Sequence, residues 1–196
     1  MEFKKVGVAG CGQMGGGIAQ VCARAGYRVV VLEANEGFLR KGFEGIGASL
    51  DVAVSKGKLD AAEKEAVLGR IKGTTSHRDF YDCDIVIEAI IENLEAKQHL
   101  FRELDLICPP HTLFCSNTSS IPIIEMASVT KRSDRCLGMH FFNPVPVMKL
   151  VEIIHTLFSS SEAVEQATSF ARSIGKTTIQ SKDRAGFIVN LLLVPF

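Results

Sequence analysis

Val6-Gly7-Val8-Ala9-Gly10-Cys11-Gly12-Gln13-Met14-Gly15 decides the fold. Residues 6–9 are small, apolar and β-favouring, the pattern of a short buried strand. Apolar residues at Met14, Ile18, Val21, Cys22 and Ala25 follow at helical spacing, and Gly26 stops them. Residues 27–32, Y-R-V-V-V-L, then read as a second buried strand that ends at Glu33. Glycine is frequent in this chain, at 17 residues, so G-x-G-x-x-G alone carries little information. Its place after a strand and at the opening of a helix, with an acid roughly 20 residues on, is what gives it meaning.

Each glycine has a task in that reading. Gly10 permits the tight turn, Gly12 lets a diphosphate approach the backbone through the Gln13-Met14 turn, and Gly15 lets helix and strand pack closely. The free N–H groups and dipole of the helix N-terminus favour an anion. Glu33 would accept both hydroxyls of an adenosine ribose and repel a 2′-phosphate, and Ala34-Asn35 offers no cation to hold one. The expected cofactor is therefore NAD rather than NADP. A ligand-free glycine turn beside a surface glutamate is the plain alternative.

Further along, residues 36–71 are dominated by helical patterns, with Asp60-Ala61-Ala62-Glu63 resembling a capping box. Strands are expected at residues 84–89, 113–116, 136–142, 149–154 and 177–180, and helices at 92–107, 121–128 and 162–174. The fold class is α/β: a Rossmann-like doubly wound, mainly parallel sheet with flanking helices and an added antiparallel hairpin. At 196 residues the chain is one domain, or one domain with part of a second. Its 46% hydrophobic content supplies a core and excludes low-complexity disorder. Lys+Arg 22 against Asp+Glu 22 leaves no net charge to hold nucleic acid or an anionic membrane surface. None of Cys11, Cys22, Cys83, Cys108, Cys115 and Cys136 forms a C-x-x-C pair, so no metal site is expected and the thiols suit a reducing, cytoplasmic setting. No secretory or transit pattern precedes the first strand. Residues 186–196 are strongly apolar, as a docking segment or the start of a second domain would be.

Gly138 to Glu152 reads as two strands joined by the turn Asn143-Pro144-Val145-Pro146. A hairpin symmetrical about residue 146 sets His140 opposite Glu152. A carboxylate beside an imidazole fixes its tautomer and stabilises its cation, which is how a general base for a hydroxyl proton is made. The same spacing serves equally a satisfied core histidine and an unrelated rim glutamate. Asn117-Thr118-Ser119-Ser120 follows a strand end, where a doubly wound sheet opens its ligand crevice. One serine, Ser120, would cap the next helix, leaving the other to a ligand. Glu92 and Lys97 open a helix at the same edge, where a solvated helix face is the simpler account. His77, His99, His111 and His155 read as surface or packing residues.

Together, Gly10 to Gly15 with Glu33, Glu88-Ala89-Ile90-Ile91-Glu92-Asn93, Ser116-Asn117-Thr118-Ser119-Ser120, His140-Phe141-Phe142-Asn143-Pro144 and Gly186-Phe187-Ile188-Val189-Asn190 resemble the L-3-hydroxyacyl-CoA dehydrogenases. The likeness spans nearly the whole chain. It implies an NAD-binding domain over residues 1–185, then at 186–196 the start of a helical domain that makes a homodimer. It implies interconversion of a 3-hydroxyacyl-CoA and a 3-oxoacyl-CoA. By the same resemblance His140 is the base, Glu152 its partner, and Ser119 a contact to substrate and nicotinamide. Asn143 and Asn190 would line the site near the reacting oxygen, Glu92 and Lys97 would lie by the nicotinamide-side ribose, and Ser49 and Lys56 would meet the CoA portion. Glu33 stands where aspartate is more usual, Ala185 where proline is common and Leu191 where arginine is common. Two other readings remain: a dehydrogenase of a free hydroxy acid, and a nucleotide-binding fragment without catalysis.

Overall fold

A computed structural model describes residues 3–184 and 186–189. These residues build one eight-stranded sheet in the order β3-β2-β1-β4-β5-β6-β7-β8. The strands are β1 (Lys5–Ala9), β2 (Arg28–Leu32), β3 (Ile71–Thr74), β4 (Ile85–Glu88), β5 (Leu113–Ser116), β6 (Cys136–Phe141), β7 (Leu150–His155) and β8 (Thr177–Lys182). Only the β6–β7 pair is antiparallel, as expected for the hairpin; every other pairing is parallel. The helices are α1 (Gln13–Arg24), α2 (Glu36–Ser55), α3 (Ala61–Gly69), α4 (Leu94–Ile107), α5 (Ile123–Ala127) and α6 (Ser161–Ser173).

The central strands β1, β4 and β5 are almost wholly buried because helices cover both faces, which is why their sequences run apolar without alternation. Ile18 of α1, Ile46 and Leu50 of α2 and Ala167 and Phe170 of α6 fill one face. Leu100, Phe101 and Leu104 of α4 and Ile123 and Met126 of α5 fill the other. The chain leaves β1 towards β2 and β3, then returns to β4 on the other side. Between β1 and β4 the crossover loops part, and in such sheets the ligand crevice opens there.

Three expectations are corrected. The long helical region is α2 and α3, and Ile71 begins an edge strand rather than ending a helix. That strand is short, and Lys72-Gly73 interrupts its apolar pattern, so nothing local announces it; its pairing with β2 makes it. The Asp60–Glu63 capping box starts α3 as expected, a device worth about 0.5–2 kcal/mol. Ser120 does not cap α5. Asp183 does so from beyond β8, accepting from the backbone N–H groups of Ile123 and Ile124 at 2.8 Å each. Finally, Glu92 lies before α4, whose cap is Asn93.

Candidate functional site

The glycine loop has the form the motif requires. Gly10 adopts φ +98°, and a Cβ on Gly15 would stand 1.9 Å from the Gly10 carbonyl oxygen. Gly12 faces open space instead, with nothing within 4 Å of an added Cβ. No side chain among the described residues caps the N-terminus of α1, and its first turn carries no acid. That terminus is therefore open to an anionic ligand. Glu33, half-buried at the end of β2, accepts from Cys11 N–H at 2.7 Å and from Ala34 N–H at 2.9 Å. Its carboxylate thus joins the loop to the neighbouring strand at the rim of a cavity of about 580 Å³. Gly12, Gln13, Lys41, Ser49 and Asn143 also line that cavity. Lys41 had no signal in the sequence; α2 carries it over the loop. Lys56 is exposed at the C-cap of α2 and does not line the cavity.

A second cavity of about 390 Å³ adjoins the first through Asn143, which lines both. Met14, Glu92, Lys97, Ser119 and His140 line it. The β6–β7 register pairs His140 directly with Glu152, and His140 Nδ1 lies 2.7 Å from Glu152 Oε2. Both residues are buried. The other carboxylate oxygen, Oε1, accepts from the N–H groups of Ile188 and Val189 at 3.0 Å each. Burial pushes the Glu152 carboxyl up, but the His140 bond and these two backbone donors hold it below its ordinary value. With Nδ1 committed to the carboxylate, Nε2 is the ring nitrogen left for a reacting hydroxyl. Phe142 and Phe187 flank the ring at centroid distances of 4.7 and 5.7 Å.

The opposite wall of this cavity corrects a further expectation. Lys97 is not on a solvated helix face: it is 1% exposed, with Nζ 2.6 Å from Glu88 Oε1 and 3.1 Å from Glu92 Oε2. Glu92 Oε1 accepts from Thr118 Oγ1, from Ser119 N–H at 3.2 Å and from Ser120 Oγ at 3.1 Å. Burial raises the Glu92 carboxyl, and the Thr118 bond and the Lys97 charge more than reverse this, leaving it below its usual value. Asn117 accepts from Phe141 N–H at 2.9 Å, fixing the ends of β5 and β6 together. Glu88 and the burial of Lys97 were missed. The available signal was an acid closing an otherwise apolar strand, since a buried charge requires a partner. Asn190 lies outside the described residues.

An open helix N-terminus behind a glycine loop, an acid at the end of β2 and an imidazole–carboxylate pair, arranged at the carboxyl ends of a doubly wound sheet, are the features of an NAD-binding domain of a Rossmann-type oxidoreductase. Comparison with known proteins narrows that class. Residues 5–184 match the family described as 3-hydroxyacyl-CoA dehydrogenase, NAD binding domain, and the chain belongs to that family. It is 46% identical over 195 residues to a probable 3-hydroxybutyryl-CoA dehydrogenase of Bacillus subtilis, an alignment covering 100% of this chain and 68% of that protein. Among solved structures, FadB2 of Mycobacterium tuberculosis superposes with a TM-score of 0.98 at 45% identity, covering 100% of this chain and 69% of that one. The (S)-3-hydroxybutyryl-CoA dehydrogenase PaaH1 of Ralstonia eutropha gives 0.97 at 43% identity, covering 99% and 69%. Among the described residues, no helix is long and apolar enough to cross a membrane.

Proposed function

We propose that this chain carries the chemistry of a 3-hydroxyacyl-CoA dehydrogenase, interconverting a 3-hydroxyacyl-CoA and a 3-oxoacyl-CoA, with short acyl chains favoured by the names of its relatives. The observation that carries this reading is the His140–Glu152 pair, 2.7 Å apart, with His140 lining a cavity that shares Asn143 with the cavity around the glycine loop. Bound NAD supplies the hydride acceptor, and the chain supplies alignment and proton transfer. His140 Nε2 takes the proton of the C3 hydroxyl; in the reverse direction the imidazolium donates it to the 3-oxo oxygen. Glu152 keeps Nδ1–H pointed away from substrate and stabilises the imidazolium. Ser119, Asn143 and Asn190 position the reacting oxygen. Gly10, Gly12, Gln13, Met14, Gly15 and Glu33 hold the adenosine diphosphate end, with Glu92 and Lys97 at the nicotinamide ribose. Ser49 on α2 and, at the helix's C-cap two turns on, the exposed Lys56 would meet the CoA portion.

Residues 1–185 form the dinucleotide-binding unit in this reading, and 186–196 begin a helical domain through which a homodimer assembles. The relatives' greater length supports that division. Six unpaired buried thiols fit a reducing, cytoplasmic setting. NADH oxidation with acetoacetyl-CoA, compared with free acetoacetate, tests the proposal. Turnover should require the thioester. Equal turnover of the free acid would point instead to a hydroxy-acid dehydrogenase. NAD binding with no turnover of either substrate would point to a nucleotide-binding module.

A further inference from the structure

Glu88 is a fully buried carboxylate at the end of β4, and nothing in the proton-transfer scheme uses it. It is not among the residues lining the His140 cavity, yet the two loops that form the wall opposite His140 hang from it. Oε1 accepts from Lys97 Nζ at 2.6 Å and from Ile90 N–H at 2.7 Å, which fixes the loop leading to Glu92. Oε2 accepts from Ser116 Oγ at 2.5 Å, and Ser116 Oγ in turn accepts from Thr118 N–H at 3.2 Å, which fixes the loop carrying Ser119. Lys97 then reaches Glu92 at 3.1 Å, and Glu92 closes the circuit on Thr118, Ser119 and Ser120. Counted as two carboxylates and one ammonium, the circuit has one surplus negative formal charge, with Glu92 and Lys97 lining the cavity.

We infer that Glu88 is a positioning residue that aligns the two loops of the nicotinamide-side cavity and gives that cavity a preference for the oxidised cofactor. This rests on the reading that the nicotinamide end occupies the His140 cavity. An oxidised nicotinamide ring is a cation and the reduced ring is neutral, so a fixed surplus negative charge nearby favours the first over the second. A neutral residue in place of Glu88 leaves Lys97 to Glu92 alone, and the surplus disappears. The Glu88 side-chain bonds that this replacement alters go to Lys97, Ile90 and Ser116, and none of them goes to a residue of the glycine loop.

The test is titration of NAD+ and NADH onto the folded chain, with NADH fluorescence reporting whether the nicotinamide is sheltered. Glu88→Gln should raise the ratio of the NAD+ to the NADH dissociation constant about tenfold. Glu88→Asp keeps the charge but retracts it by one methylene. Ser116→Ala keeps the charge but frees the second loop. Both should weaken the two forms together, roughly threefold to tenfold, as for one ordinary hydrogen bond, with the ratio within about twofold of the parent. Glu88→Gln lowering both affinities equally, or Ser116→Ala binding both forms as the parent does, would overturn the inference. Should Glu88→Gln fail to fold, Glu88→Asp and Ser116→Ala decide the alignment of the loops, and Glu92→Gln, which also removes one carboxylate from the circuit, decides the preference: an unmoved ratio there would overturn it. A parent chain that binds NADH with no fluorescence change fails the underlying placement of the nicotinamide, a result distinct from unmoved variants of a parent that shelters it.

Discussion

The two cavities that meet at Asn143 are made of different materials. The one around the glycine loop is largely backbone: a turn at Gly10, an open approach at Gly12 and the N-terminus of α1, with Glu33 tied to Cys11 N–H at its rim. The one around His140 rests on two fully buried carboxylates, Glu152 under the imidazole and Glu88 under the opposite wall. Backbone donors and a helix dipole bind an anion without needing to ionise or reorient. Buried carboxylates are costly unless every lone pair is answered, so they persist where they hold something in place. In the proposed reading, binding is built from chain geometry and chemistry from paired charges.

Removing the base should separate the two regions most sharply. His140→Ala is expected to cut turnover about 10²–10⁴-fold while leaving NAD affinity within about twofold. Steady-state kinetics and a binding titration on the same preparation measure both numbers, and parallel loss of affinity would erase the distinction between the cavities. Glu33→Ala attacks the other side. It should weaken NAD about tenfold and narrow the preference for NAD over NADP, with turnover at saturating NAD little changed. A fall in saturated turnover would mean that the rim acid also governs the chemistry.

The smallest expected effect concerns pH. The Glu152 carboxyl lies below its ordinary value in the folded chain, so its ionised form is favoured by folding. That stabilisation is present above the unfolded carboxylate value, about 4.3, and is lost as pH falls through the lower folded value. Glu152→Gln should therefore flatten the acid side of the stability curve. Between about pH 5 and about pH 3 the parent's melting temperature should drop roughly 2–4 °C more than the variant's. Parallel curves would show that the pair contributes nothing to acid stability.

Legibility followed the range of the interactions. The strand–glycine loop–helix unit, Glu33 and the Asp60–Glu63 box are local, and each was readable from spacing. The His140–Glu152 pairing was half-readable: symmetry about the proline turn proposed it, but the same spacing suited an unrelated core histidine until the strand register set the two side chains together. Lys97 and Ser120 were misread because their partners lie elsewhere in the chain. Glu88, which holds Lys97, comes from β4; Glu92, which Ser120 Oγ reaches, comes from the loop before α4; and Asp183, which takes the capping task from Ser120, comes from beyond β8. The edge strand β3 was invisible because four residues, one of them glycine, carry too little pattern without β2 beside them.

By itself the amino-acid order determined the alternation of strands and helices, the glycine turn at the opening of α1 and the acid that closes β2. All of these follow from φ/ψ preference, hydrophobic period and neighbours within a few turns of chain. Only the tertiary structure decided which charges are buried together and which loops they tie. An ion pair between β4 and α4, or a carboxylate shared by two loops, depends on which strands lie side by side, and that order is settled by packing the whole sheet rather than by any one segment.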